Sequence, residues 1–225
     1  MHKLIIIMKI KYHDSDWLRT ILNQTGMNLP DIRDEIQFLL WENLFDNEQL
    51  SIDNVAHSVC NQLLKWSSIK VGSFGSITAA PASFPVIGSI GASVCTTTID
   101  VAYLIRSQIE LCYAISAVFD TDITEDNLKA ITLALLEYDN NNELLADIAR
   151  SSFNSLINSL AAKYLKKGID CVAPDIAQKL LSRMLNRVSA KWIPFISIPI
   201  NAAINVSDIR KTGNRAISYF QLRNT

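Results

Sequence analysis

Apolar residues recur at spacings of three and four along almost the whole chain, and no run of alternating β-branched residues bounded by turns interrupts them. The pattern predicts helices throughout. The first runs from Ser15 or Asp16 to Thr25, with Gly26 as its stop. A second starts at Pro30, whose missing N–H costs nothing in a first helical turn, and carries Ile32, Ile36, Leu39, Leu40 and Leu44 on one stripe as far as Asp46-Asn47. A third opens with Ser51 as N-cap and Asp53 in the first turn, faces Ile52, Val55, Ala56, Val59 and Leu63 inward, and runs to about Ser67.

Further along, Thr124 and the acidic pair Glu125-Asp126 open a helix over 124–138, with Leu128, Ile131 and Leu135 inside and Asn140-Asn141-Asn142 closing it. A longer helix from Glu143 ends in Lys166-Lys167-Gly168, cations in the last turn followed by a C-terminal glycine. Pro174 starts the next, with Ile176, Leu180, Met184 and Val188 inside.

Two stretches break this amphipathic rhythm. Val71 to Ile99 contains no Asp, Glu, Lys, Arg or His, a length that could cross a bilayer, yet Gly72, Gly75, Gly88, Gly91, Pro81 and Pro85 make it a poor continuous span. The prolines split it into a glycine-rich approach and a helix from about Pro85 through Arg106 to Phe119. In that helix Gly88, Ala92 and Thr96 lie four apart, beside Gly91 and Cys95, a row of small residues that lets another backbone come close. The second stretch, Trp192 to Ser207, repeats the first weakly: Phe84-Pro85-Val86-Ile87 is echoed by Ile193-Pro194-Phe195-Ile196, and in the same register Arg106 falls on Arg215. Two central, Pro-initiated helices packed side by side are the expected consequence.

Composition narrows the classes. With 21 Lys+Arg against 22 Asp+Glu there is no basic excess for binding nucleic acid. Apolar content of 49% fills one sizeable core, while charged content of 19% and a mean hydropathy of +0.17 leave some surface that something else should cover. Cys60, Cys95, Cys112 and Cys171 form no CxxC pair, so a zinc cage is not expected and free thiols in a reducing cytosol are. Lys9 and Lys11 cut short the apolar run Leu4 to Met8, which is no secretory signal. Residues 1–14 read as a disordered segment or translational extension, and 15–225 as a single helical domain: N-terminal helices over 15–70, the apolar segment 71–122, a helical pair over 124–190 and the last central helix over 191–225.

Candidate chemistry is thin. Asn201, Asn205, Asp208, Thr212 and Arg215 fall on one stripe of the last helix, beside an apolar stripe of Ile198, Ala202, Val206, Ile209, Ile217 and Phe220. With Asp100 and Arg106 of the other central helix, these polar residues could form a buried site, although a hydrogen-bonded register lock is the simpler reading. Arg106 and Glu110 can pair along their helix. His57 and Cys60 are half a metal site, the glycine-rich pieces lack GxxxxGK[ST] and GxSxG, and Asp120, Asp122, Thr124 and Asp126 lack the glycine and glutamate of a calcium loop. No catalytic residue, metal or cofactor is expected.

The segment VGSFGSITAAPASFPVIGSIGASVCTTTIDVAYLIRSQIELCYAISAVFDTD (Val71 to Asp122) and the tail KWIPFISIPINAAINVSDIRKTGNRAISYF together resemble the bacterial EcsC protein family. The likeness lies in the glycine-rich approach, the Pro-led helix with its Arg106-Ser107 step, and the final Ile-Pro…Asn…Asp…Arg-Ala-Ile…Tyr-Phe pattern. It departs from the family where Ser197-Ile198-Pro199 replaces a glycine. The family takes its name from an operon that also encodes an ABC transporter, and the resemblance implies a helical protein at the cytoplasmic side of a membrane. The sequence thus predicts an all-α bundle of seven to eight helices and a non-enzymatic protein. It would associate with the cytoplasmic face of the inner membrane, or with a membrane protein, through Phe74, Phe84, Trp192 and Phe195. The alternative is a soluble helical module binding a protein, as an inhibitor or immunity factor does, or an apolar ligand, with Trp17, Trp41 and Trp66 at its contact surface.

Overall fold

Ser51 accepts the Asn54 N–H on its Oγ (3.4 Å) and the Val55 N–H on its carbonyl (3.0 Å), so the cap read from sequence does begin a helix. Signals of this kind set the boundaries of an all-α chain, seen in a computed structural model that describes residues 16–46, 51–74, 95–119, 122–138, 150–189 and 197–223. Among the described residues there are eight helices and no strand. They are α1 (Asp16–Met27), α2 (Leu29–Asp46), α3 (Ile52–Phe74), α4 (Cys95–Phe119), α5 (Glu125–Glu137), α6 (Arg150–Lys167), α7 (Ile169–Ser189) and α8 (Ser197–Arg223).

Three boundaries differ from the sequence reading. Gly26 does not stop α1 but lies inside it, buried, with the side-chain ends of Glu125 and Lys129 of α5 against its bare backbone. Helix α3 continues past Ser67 to Phe74. Helix α7 begins at Ile169, with Pro174 inside it. The break between α6 and α7 falls at Gly168, whose φ of 85° only glycine adopts at little cost, and whose carbonyl then accepts the N–H groups of Cys171 (3.1 Å) and Val172 (3.3 Å). The small-residue row from Gly88 to Cys95 lies outside the described side chains.

Helix α8 packs most extensively on α3 and α4. In the α4–α8 interface Gln108 Nε2 donates to Thr212 Oγ1 at 2.9 Å, both groups buried; Thr212 belongs to the polar stripe, whereas Gln108 is a partner the sequence reading does not name. At Gly213, next along α8, side chains of two other helices lie against the backbone: a Cβ would meet Leu64 Cδ2 of α3 at 2.4 Å and Leu111 Cδ2 of α4 at 2.8 Å. Helix α5 was read as an ordinary amphipathic helix, yet every residue from Leu128 to Leu136 is buried. It forms a second central rod between α6 and α7. One described helical stretch, Val101–Phe119, is long and apolar enough to cross a membrane by length and composition, and 72% of it is buried inside the bundle.

The C-terminal end of α5 gathers cations from two other helices. Arg183 of α7 donates to the carbonyls of Leu136 (3.2 Å) and Glu137 (2.9 Å), and Arg215 of α8 donates to the Tyr138 carbonyl (2.7 Å) while lying 5.1 Å over its ring. Positive charge at the negative end of a helix is favourable. Burial pushes the Glu137 carboxyl upward, but hydrogen bonds from Lys179 and Tyr164 and the charges of Lys179 and Lys163 more than reverse this, holding it below the usual carboxylate range. A depressed folded value contributes stability that is complete above the unfolded carboxylate range and is lost as pH falls through the folded value. Glu137→Gln should therefore lower the urea midpoint at pH 7, and the gap to the unaltered protein should close on acidification. A gap that persists at pH 3 would show that the ionised carboxylate is not what matters.

Candidate binding groove

Helix α2 has two apolar faces. Leu29, Ile36 and Leu39 are buried toward α3 and α4, as their spacing predicts, while Leu44 of the same expected stripe is exposed. On the opposite face Phe38, Trp41 and Phe45, three and four residues apart, are 70%, 71% and 75% exposed. Large aromatics at helical spacing, left in water, are costly, and contiguous exposed apolar area marks contact sites. Asp31, Asp34, Glu35, Glu42 and Asp46 are all exposed on this helix. Its only cation, Arg33, is turned away and donates to the Ile123 carbonyl at 2.6 Å.

The platform is held at fixed geometry. Asn43 Nδ2 donates to the Leu39 carbonyl (2.9 Å) and to Gln62 Oε1 of α3 (3.5 Å), and Ser58 Oγ donates to Asn43 Oδ1 (3.4 Å). Between α2, α3 and α4 lies a cavity of about 700 Å³, within the range of ligand sites. Phe38 and Trp66 stand at its lip, Ile36, Leu39, Leu63 and Leu111 line its wall, and Glu35 and Glu42 border it from α2. On the α3 and α4 side of the cavity the half-buried Glu110 is gripped on both oxygens, by Lys70 Nζ (3.0 Å) and Arg106 Nε (2.8 Å). Ser107 also borders the cavity, but its Oγ is closed off from solvent and has no hydrogen-bond partner, which costs about 1–3 kcal/mol.

The expected polar site is divided among different duties. Arg106 makes the predicted pair with Glu110 at the cavity, whereas Arg215 is engaged at the end of α5. Asp208 is buried one turn before Thr212, and Asn205 is half-buried. The side chains of Asp100 and Asn201 lie outside the description. So do those of Phe74, Phe84, Trp192 and Phe195, leaving that expected membrane contact undescribed. Trp41 and Trp66 are both exposed, at 71% and 48%, while Trp17 packs against the core. Sequence reasoning named the two exposed tryptophans but not Phe38 and Phe45. The signal was present: their spacing with Trp41 forms a second apolar row opposite Ile32, Ile36 and Leu39.

Of the three described cysteines, Cys171 is exposed and the other two are buried. Burial pushes the Cys60 thiol up to about 12, and does the same to Cys112 against the opposing charge of Arg215, so neither forms a thiolate near neutral pH. His57 Nε2 faces Gln221 Nε2 at 2.9 Å, and among the described residues no group of three His, Cys, Asp or Glu could hold a metal ion. Compared with protein-family models, with curated proteins and with solved structures, the chain gives no match.

Proposed function

We propose that this chain is a non-enzymatic helical binding module, cytoplasmic, whose contact surface is the aromatic row of α2 together with the groove it shares with α3 and α4. The observation that carries the reading is the exposure of Phe38, Trp41 and Phe45 on a helix whose other face already fills the core. Aromatic side chains dominate interface energies, and rigid helices hold them in place.

A second reading, association with the cytoplasmic face of an inner membrane or with a membrane protein there, draws support from the EcsC resemblance and from the apolar character of Val101–Phe119. The burial of that helix and the acidity of α2 weigh against lipid as the direct contact, because the cytoplasmic leaflet is anionic. The two readings separate in one experiment. Chemical crosslinking in cells followed by mass spectrometry should recover a protein partner that is lost from Trp41→Ala/Trp66→Ala, while the melting temperature changes little. Recovery of the same partner by the double variant, or lipid alone in the crosslinked fraction, overturns the reading.

A further inference from the structure

Three occupants of the α2–α3–α4 groove can be weighed by charge and shape. An anionic lipid or fatty acid would bring negative charge to Asp34, Glu35 and Glu42, and its chain in the cavity would leave Trp41 and Phe45 in water. A second copy of this chain, joined α2 to α2 about a two-fold axis, would set the same carboxylates against each other. A cationic amphipathic helix meets neither obstacle. Its apolar face, with anchors at i, i+3, i+4 and i+7, matches the row of Phe38, Trp41 and Phe45, and its flanking Lys or Arg residues meet the exposed carboxylates that run along one flank of that row.

Resting on the reading of α2 as a contact surface, we infer that the groove captures a basic amphipathic helix of a partner protein, one of whose long cationic side chains enters the cavity. Its aliphatic stem passes between Phe38 and Trp66, both at the lip, where the ring faces favour a cation. Glu35 and Glu42, which line the cavity from α2, take the head group, a pure hydrogen-bond donor. A guanidinium or ammonium thus meets two exposed carboxylates of α2, while the Lys70 and Arg106 cations of the same cavity are already held by Glu110.

The test uses the full chain and two dye-labelled synthetic helices of about 18 residues, long enough to span the α2 face. One carries a leucine arc with lysine on the polar arc, the other the same leucine arc with glutamate. Fluorescence anisotropy should show the lysine peptide binding at least about tenfold more tightly than the glutamate peptide, with the difference shrinking at high salt. Glu35→Gln/Glu42→Gln and, separately, Trp41→Ala should each weaken the lysine peptide by about tenfold, and melting curves will show whether these exposed changes leave the fold intact. Equal binding of the two peptides, or none, overturns the cationic class while the partner crosslinked through Trp41 and Trp66 can still stand. Binding indifferent to Trp41→Ala overturns the use of this face. A preference for phosphatidylglycerol vesicles over the lysine peptide, or a dimer by light scattering that dissociates on Trp41→Ala, assigns the surface to lipid or to self-association and also overturns the inference.

Discussion

Phe220→Ala is expected to lower the unfolding free energy by about 3–5 kcal/mol, the largest loss of any single truncation proposed here. The ring is fully buried near the end of α8 and meets Tyr219 edge-on, with centroids 5.1 Å apart. Tyr219 is itself tied to α6, donating to Asn158 Oδ1 at 2.5 Å while its carbonyl accepts from Asn154 Nδ2 at 3.4 Å. Removing the neighbouring ring therefore leaves a cavity whose walls are pinned on one side and cannot collapse to fill it. Phe220→Leu, which keeps most of the volume, should cost less than half as much. Urea unfolding followed by far-ultraviolet circular dichroism measures both. A loss below about 1 kcal/mol for the alanine variant would mean that the end of α8 is not docked on the bundle.

That same helix shows what could be read from the residues alone. Ile209, Ile217 and Phe220 were placed on an inward stripe by spacing, and they are buried. The adjacent polar stripe was legible as a stripe, but its partners were not: nothing in the sequence says that Thr212 meets Gln108 or that Arg215 reaches the Tyr138 carbonyl. Periodicity reports which way a side chain points along its own helix, whereas a partner depends on which helices cross and in what register. Helix α5 fails for a related reason. Its Leu128, Ile131 and Leu135 read as one inward face, whereas Lys129, Ala130, Leu133 and Ala134 on the other sides are buried as well. Small and polar residues let neighbouring helices pack on that side too, so the whole element is enclosed. The groove was half legible. Trp41 and Trp66 stood out as large aromatics, but a cavity bordered by Ser107 and Glu110 exists only once α2, α3 and α4 are brought together.

Gly213→Val should destabilise the fold by about 3 kcal/mol, the upper end of what overpacking a core costs. The sign is the informative part. A glycine inside a solvent-facing helix is worth about 1 kcal/mol less than alanine, so substituting it there normally stabilises. At Gly213 the first added atom would already lie 2.4 Å from Leu64 Cδ2 and 2.8 Å from Leu111 Cδ2, and both leucines are buried on helices that pack against α8. They cannot both move aside without opening the α3–α8 and α4–α8 contacts, so even Gly213→Ala should fail to stabilise. A double-mutant cycle isolates the cause. Leu64→Ala alone leaves a void, but combined with Gly213→Ala it frees the space that the new methyl group needs, and the two changes should be less harmful together than their sum by about 1–3 kcal/mol. Additive effects would show that α8 does not approach α3 at this glycine, and the central packing described for this chain would have to be redrawn.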